Sequence, residues 1–493
     1  MNSALLYQIF AKIKHLSLAA VLVCAAFTGT YRSHAADLDL PDLGGAGAGL
    51  VSPAQEYELG QYWSRWYRSQ VQISQDPFMQ TYTEDLIRNL ATYSDLKDKR
   101  LDILLVNNRS LNAFAAPGGI LGVHTGLFEY AQTEQQFASV LAHELAHLSQ
   151  RHYARQIEES KNNQIPAFAA LMASILIAAT AGGEAGLAAM SVTQAAAIDS
   201  KLRFSRQMEQ EADRVGMDTM VRSEMNPYAM GDMFDQMLNA SRFQRRPPEF
   251  LLTHPLTESR VTDSQLRAQQ YPRRYHAPNL TYQLVKVRAM ILHQANPQVS
   301  IKQFKPRLDS NNKLDAEIAR YGLALALQKA NRLPEARKEF NTLLKLRPEH
   351  LHYLVGLSEI DSAEEKFDAA IARIESKHSK FPNHHALNVK LAEALMKAGR
   401  YNECETILLA HSKRHPKNDY VWYLLAEVHG LVGKIYDVHS ARAEYFMLNG
   451  RFDKAIIQLK NALKLTSDNI YIKAKTEQRL KEARKMQKRI QEL

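Results

Sequence analysis

The sequence contains little cysteine and no long apolar run. Cys24 and Cys404 are the only cysteines among its 493 residues, and if the N-terminal segment that holds Cys24 is removed, no disulfide can form within the chain. Beyond the first 35 residues, no apolar run reaches the roughly 20 residues that a transmembrane helix needs. No nucleic-acid-binding motif is present. Apolar residues make up 45% and charged residues 23% of the chain, which excludes disorder throughout.

The N-terminal segment, residues 1–35, has the features of a secretory signal peptide. Basic residues precede an apolar stretch at residues 16–27, and Ser33 and Ala35 supply small side chains before an acidic segment. We predict cleavage near Ala35, with an uncleaved membrane anchor as the alternative. The segment holds three Lys or Arg residues and no acidic residue, so its removal lowers the formal charge from +10 to +7.

The remaining chain divides into three parts by composition. Residues 36–55 are rich in Gly, Asp and Pro and are predicted to form a flexible lead-in. Residues 56–275 mix helix-forming and strand-forming segments, which predicts an α+β domain. Residues 280–493 are periodic and helix-forming. The chain as a whole is predicted to be mainly α.

A short motif in a helix-forming segment has the spacing of a metal site. His143 and His147 are four residues apart and therefore lie on one face of a helix, where both imidazoles can bind one Zn²⁺. Glu144 lies between them and can take a proton from a water that zinc polarises. The motif H-E-x-x-H thus predicts zinc-dependent peptide hydrolysis.

A second helix-forming segment carries a candidate for the missing third ligand. Glu209, Ala212, Asp213 and Gly216 form one stripe, and its two small residues let this helix approach another closely. We predict that Glu209 is the third zinc ligand and that Asp213 accepts the other ring N–H of a ligating histidine. Glu211 is the rival ligand, but it points about 160° away around the helix from Glu209.

Two segments near the motif have open interpretations. Residues 112–127 are predicted to form two short strands around a Pro-Gly-Gly turn, either as a plain edge hairpin or as a strand that binds extended substrate. Residues 165–198 are rich in Ala and Met, which predicts a helix buried against the catalytic helices or a lid hairpin that touches a membrane or partner. His124 and His152 are interpreted as ordinary histidines with no partner at the metal site.

A period of 34 residues runs through the C-terminal part. Three series of positions keep it: Pro348, Pro382 and Pro416; Arg332, Lys366, Arg400 and Lys434; and Ala336, Ala370, Cys404 and Val438. This is the period of tetratricopeptide repeats, which predicts an α-solenoid of antiparallel helix pairs. The register breaks after Lys434, where a similar motif follows 17 residues later, so the end is predicted to pack irregularly or to be a capping pair.

Both halves of the metal-site pattern resemble the gluzincin peptidases of the CAAX prenyl protease and HtpX type. These halves are H-E-x-x-H at residues 143–147 and E-x-x-A-D at residues 209–213, and the resemblance covers roughly residues 55–270. It implies a zincin-type metallopeptidase domain with one Zn²⁺ per chain, bound by His143, His147 and Glu209. Glu144 is implied to be the general base. Unlike the integral-membrane relatives, the mature chain is expected to lack spanning helices.

The signal peptide and repeats extend the resemblance to exported members of this group. It implies a periplasmic zinc endopeptidase and chaperone in the assembly and quality control of outer-membrane β-barrel proteins. The implied partners are the outer-membrane barrel-assembly machinery, the lipopolysaccharide-transport barrel protein and stalled or misfolded outer-membrane proteins. The alternative is a repeat-based periplasmic chaperone or scaffold with a mostly dormant peptidase site.

Two further residues complete the predicted site. In the resembled proteins a loop histidine occupies the fourth zinc position, and His254 matches it, which predicts an off-switch because a fourth ligand displaces the catalytic water. Arg288 is a candidate donor to the oxyanion, since it follows the cleft-forming loop, with a salt-bridged surface arginine as the alternative.

Overall fold

A computed structural model describes most of the chain. The described residues are 52–159, 205–243, 248–466 and 469–491. The predicted signal peptide, nearly all of the lead-in and the apolar segment at 165–198 lie outside them. Within the described ranges, no helix combines the length and the apolar character that crossing a membrane requires.

The first part of the chain is an α+β domain. Its elements are α1 (Pro53–Gln70), α2 (Pro77–Tyr93), β1 (Asp102–Val106), β2 (Ala113–Ala116), β3 (Ile120–His124), α3 (Leu127–Tyr130), α4 (Glu134–Ser149), α5 (His152–Glu159), α6 (Arg206–Arg222), α7 (Tyr228–Phe243), α8 (Glu249–Thr253), α9 (Glu258–Ala268) and α10 (Leu280–His293).

The second part is helical. After α11 (Pro297–Phe304) and a 3-10 helix (Lys305–Asp309) come α12 (Lys313–Lys329), α13 (Leu333–Leu346), α14 (Leu351–Ala363), α15 (Phe367–His378), α16 (His385–Lys397), α17 (Tyr401–Arg414), α18 (Asp419–Leu431), α19 (Ile435–Leu448), α20 (Phe452–Leu463) and α21 (Ile470–Gln491). The predicted class, an α+β domain followed by an α-solenoid, is confirmed.

The three strands form one small sheet in the order β1-β3-β2. β3 pairs parallel with β1 and antiparallel with β2, so the predicted hairpin at residues 112–127 is confirmed. Its turn contains Gly118 and Gly119, whose φ angles of 85° and 79° are strained for residues with a side chain. β2 lies at the edge of the sheet and is adjacent to α4.

The motif helix α4 is enclosed by other elements. It begins after Thr133, whose hydroxyl accepts a hydrogen bond from the backbone N–H of Gln136 at 3.2 Å. α6 packs closely against it, because Gly216 has no side chain: a Cβ there would lie 3.1 Å from the backbone of Ala142 and His143. The predicted stripe of small residues therefore gives the close helix contact expected from it.

The repeats keep their period through a common turn. Five of the described turns between successive repeat helices contain a residue with positive φ, namely Asn331, Glu365, Gly399, Gly433 and Gly450. The first four are 34 residues apart and the last follows after 17. α19 packs against both α18 and α20, so that one helix ends one hairpin and begins the next. This shared helix explains the break in register after Lys434.

The repeats pack against the α+β domain in one compact unit. One face of α10 joins the core of the α+β domain through Tyr282 and Val285, and Leu284 and Val287 join the core of the repeats. No helix or strand lies between α9 and α10, which is compatible with the predicted domain boundary at 275–280. The exact limits remain a prediction.

α2 is in contact with both the repeats and α4. Its Phe78 stacks on His352 with ring centroids 4.2 Å apart, and its Gln80 accepts a hydrogen bond from Asn418 at 3.0 Å. On the other side, the Tyr82 hydroxyl donates to Glu134 in the first turn of α4. One helix therefore lies between the repeats and the motif helix.

A buried pair of histidines in the repeats predicts a loss of stability in acid. His385 Nδ1 lies 2.8 Å from His411 Nε2, and burial lowers the pKa of each ring to about 3. The unfolded chain, with a histidine pKa of about 6.5, binds more protons between these values. The free energy of unfolding therefore falls as the pH drops below about 6.5.

We expect a His411→Gln variant to lose less stability in acid than the wild type. Each buried imidazole contributes a loss of about 1–2 kcal/mol between pH 7.5 and pH 5. Urea unfolding at both pH values measures this difference, and any effect of the substitution at neutral pH cancels in the comparison. An equal acid-induced loss in both proteins would contradict the prediction.

Candidate active site

Four buried side chains from three places in the chain converge. His143 and His147 come from α4, Glu209 comes from α6, and His254 follows α8 directly. The Nε2 atoms of His143 and His147 are 3.0 Å apart, and His254 Nδ1 lies 3.4 Å from His143 Nε2. Glu209 Oε1 is 3.0 Å from His254 Nδ1 and 3.6 Å from His147 Nε2.

The geometry of this group fits a zinc ion. Ligand atoms about 2.1 Å from a tetrahedral zinc lie about 3.4 Å from one another. The contacts above span 3.0 to 3.6 Å, and one ligand atom from each of the four residues lies within 4.8 Å of the others. Three imidazoles and a carboxylate are also a donor set that zinc accepts.

On the side that faces away from the other ligands, His143 contacts Asp213, and Asp213 in turn binds Arg260. Asp213 Oδ1 lies 2.9 Å from His143 Nδ1, and Arg260 donates to both Asp213 oxygens at 2.7 Å. Arg260 Nη1 is also 2.7 Å from Glu209 Oε2. Burial by itself raises the pKa of Asp213 and of Glu209, but nearby positive charge, including that of Arg260, lowers both pKa values below their usual range.

The role of Arg260 in the site could not be predicted from the sequence pattern. This arginine lies in the first turn of α9, where the helix dipole disfavours a cation. That unfavourable position was the one available signal that Arg260 has an acidic partner.

His147 also has a hydrogen-bonding partner on the side that faces away from the other ligands. This partner is His152, whose interpretation is corrected here. His152 Nδ1 lies 2.9 Å from His147 Nδ1, so the prediction that His152 has no partner at the site is wrong. The chain turns sharply after α4 because Arg151 adopts φ 52°, and α5 then begins at His152. Glu211, the rival ligand, lies outside the group and accepts hydrogen bonds from His152 and Arg155.

Glu144 lies between the two histidines of the motif helix and is 1% exposed. Burial raises the pKa of its carboxyl group to about 8, with a smaller opposing effect from His143 and a reinforcing one from Glu209. Its Oε1 is 3.4 Å from His254 Nε2. The general-base candidate and the candidate fourth ligand are therefore neighbours.

The short helix α8 holds His254 in place. The Phe250 N–H donates to the Leu111 carbonyl at 3.2 Å, and Ser110 donates to Glu249 at 2.9 Å. The Phe250 ring also stacks on His254 with centroids 4.6 Å apart. These contacts join α8 to the segment that leads into β2, whose four residues are all buried.

Arg288 and His124 lie apart from the metal-binding group. Arg288 donates to Asp76 at 2.8 Å and to the Tyr321 hydroxyl at 3.0 Å, because α10 packs against α2 and α12. The structure thus gives no support to Arg288 as the oxyanion donor and favours its alternative as a salt-bridged residue. His124 is buried and contacts Ser110 at 2.7 Å, as expected of a core histidine.

A helix with H-E-x-x-H, completed by a glutamate from a second helix, defines a metallopeptidase of the gluzincin class. Comparison with known proteins agrees: the model of Peptidase family M48 matches residues 77–268, and a Tetratricopeptide repeat model matches residues 362–428. The protein is a zinc metalloendopeptidase.

Relatives extend this similarity over nearly the whole chain. Beta-barrel assembly-enhancing protease of Escherichia coli strain K12 is 32% identical over 475 residues, which are 96% of this chain and 97% of that protein. A putative protein of the same name from Vibrio cholerae is 31% identical over 423 residues, covering 85% and 87%. Mitochondrial metalloendopeptidase OMA1 of Saccharomyces cerevisiae is 29% identical over 237 residues, covering 43% and 63%. The chain belongs to the family of beta-barrel assembly-enhancing proteases, and the resemblance inferred from the sequence is confirmed.

Proposed function

We propose that this protease acts in the periplasm on stalled or misfolded outer-membrane barrel proteins, and that it also assists their assembly as a chaperone. The names of its relatives support a protease role in barrel assembly. The structural observation that carries the proposal is the buried group of three histidines and one glutamate in a compact unit with the repeats. Export follows from the predicted signal peptide, with cleavage near Ala35.

In this proposal His143, His147 and Glu209 hold the zinc ion, which when bound polarises a water and the peptide carbonyl. Glu144 would take a proton from the attacking water as its oxygen bonds to the peptide carbonyl carbon, and would return that proton to the leaving amine as the C–N bond breaks. Asp213 accepts the Nδ1–H of His143 and keeps its Nε2 directed at the metal, so Asp213 is a positioning residue.

His254 keeps the site closed in this proposal. Its Nδ1 lies at the position of a fourth ligand, and a catalytic zinc needs that position open for water. Movement of α8 away from the segment before β2 would remove His254 from the metal-binding group. An extended substrate can then add to β2 through backbone hydrogen bonds.

We expect a His254→Ala variant to cleave denatured casein about tenfold faster or more than the wild type. A closed state favoured by only about 1.4 kcal/mol leaves about one molecule in ten open. Thr253→Ala is the control, since it changes the neighbouring side chain and leaves the imidazole. Unchanged or lower activity, in a variant with normal zinc content and an intact fold, would contradict the switch.

The second candidate function is a repeat-based chaperone or scaffold with a mostly dormant peptidase site. The nearness of His254 to the metal-binding group favours it, as do the repeats, which suit protein interaction. The proposed partners are the barrel-assembly machinery and the lipopolysaccharide-transport barrel protein.

Complementation separates the two functions. Bacteria that lack their own beta-barrel assembly-enhancing protease receive the wild-type chain or its Glu144→Gln variant, and the folding and turnover of an outer-membrane barrel protein are followed. Rescue by the wild type alone supports proteolysis as the main role. Equal rescue by both chains supports the scaffold, and rescue by neither overturns the proposed role in barrel assembly.

A further inference from the structure

We propose that His152 is a positioning residue for the metal ligand His147, and that Glu211 and Arg155 hold His152 in this role. The proposal rests on the zinc site proposed above. It gives a function to a histidine whose only sequence signal is its position five residues after His147.

The contacts of His147 determine where its ring proton lies. Its Nε2 is directed into the metal-binding group, 3.0 Å from His143 Nε2 and 3.6 Å from Glu209 Oε1. A nitrogen that binds a metal carries no proton, so the proton of neutral His147 lies on Nδ1. His147 is therefore a donor on the side that faces away from the metal.

The contacts of His152 match this requirement. Its Nδ1 lies 2.9 Å from His147 Nδ1 and must accept that proton, which leaves the proton of His152 on Nε2. The same Nε2 lies 3.2 Å from Glu211 Oε2, a carboxylate oxygen that can only accept. One arrangement of protons therefore satisfies both hydrogen bonds and keeps His147 Nε2 unprotonated, as a metal ligand must be.

An arginine binds the outer end of this series of hydrogen bonds. Arg155 Nη1 lies 2.7 Å from the Glu211 oxygen that His152 contacts. His152 is completely buried, whereas the side chains of Glu211 and Arg155 are 28% and 42% exposed. The charged pair thus stays in contact with solvent, where its desolvation cost is small. The neutral imidazole of His152 lies between this pair and His147, and it fixes the orientation of the His147 ring.

Each of the two ligands on the motif helix therefore has its own hydrogen-bonding partners, and the two sets of partners are arranged in the same way. His143 donates to Asp213, which Arg260 binds, and His147 donates to His152, which reaches Arg155 through Glu211. Such partners fix the tautomer and the ring orientation of a ligand, and their loss weakens metal binding about 10–100-fold.

The test measures zinc release rather than catalysis. Purified protein lacking residues 1–35 is loaded with zinc and mixed with an excess of a chromogenic chelator. We expect His152→Leu to release zinc about 10–100-fold faster than the wild type. His152→Asn places an amide oxygen where Nδ1 was, so it should release zinc within a few fold of the wild-type rate. The zinc-free variants should unfold at the wild-type urea midpoint.

Each further outcome is decisive. Release from His152→Leu at the wild-type rate, or release from His152→Asn as fast as from His152→Leu, overturns the proposal. Glu211→Leu changes a partly exposed residue and provides the measurement if His152→Leu does not fold: faster release supports the proposal and unchanged release overturns it. A wild-type protein that binds no zinc contradicts the metal site itself, so the two failures are distinguishable.

Discussion

The Glu144→Gln variant will keep its zinc and cleave a denatured protein about 10²–10⁴-fold more slowly than the wild type. Glutamine has nearly the shape of glutamate and cannot accept a proton from water. Burial raises the pKa of Glu144 to about 8. A bound zinc ion would lower this pKa, because its positive charge favours the carboxylate form that accepts the proton. The three proposed ligands are unchanged, which is why metal content should be retained.

Casein digestion and zinc analysis on the same preparation measure both parts of this expectation. Glu258→Gln is a matched control, because Glu258 is an exposed glutamate in the first turn of α9. It should have wild-type activity. If Glu144→Gln keeps more than about a tenth of the wild-type rate, Glu144 is not the general base. Loss of zinc from the variant would give Glu144 a role in metal binding.

Replacing Arg260 by methionine should lower the free energy of unfolding of the zinc-free protein by about 3–5 kcal/mol. Arg260 is 3% exposed and pairs with both Asp213 and Glu209. Its removal leaves two carboxylates buried without their cation. The loss should be smaller in the zinc-loaded protein, because the metal supplies positive charge to the same group.

Urea unfolding with and without zinc measures both values. Arg222→Met is the control: Arg222 pairs with Asp95 at the surface, where the two side chains are 43% and 51% exposed. An exposed pair of this kind contributes less than about 1 kcal/mol. A loss for Arg260→Met that equals the control would mean that the buried network does not depend on its arginine.

Features that depend on spacing within one element could be predicted from the sequence. A helix repeats every 3.6 residues, so His143 and His147, like Glu209 and Asp213, were expected on common faces. The structure brings all four together. The repeat period could be read in the same way, because each of its positions is fixed by local turn and helix geometry.

Contacts that depend on a turn between elements could not be predicted. His152 reaches His147 because the chain reverses at Arg151, and a left-handed arginine has no signature in a periodic pattern. Arg288 follows the predicted cleft-forming loop in the sequence, which predicts that it lies near the cleft. In the structure its side chain instead donates a hydrogen bond to Asp76. Nearness along the chain does not decide which neighbour a side chain meets.

The position of α2 affects how the two functions can be separated. Phe78 and Gln80 contact the repeats, and Tyr82 contacts the first turn of α4. A chain shortened to the α+β domain therefore loses the repeats and, with them, the contacts that hold α2, which itself contacts the helix that carries the H-E-x-x-H motif. Reduced cleavage by such a truncated chain would not measure recruitment. Substitutions on repeat surfaces distant from α2 are the cleaner way to separate delivery of a substrate from its hydrolysis.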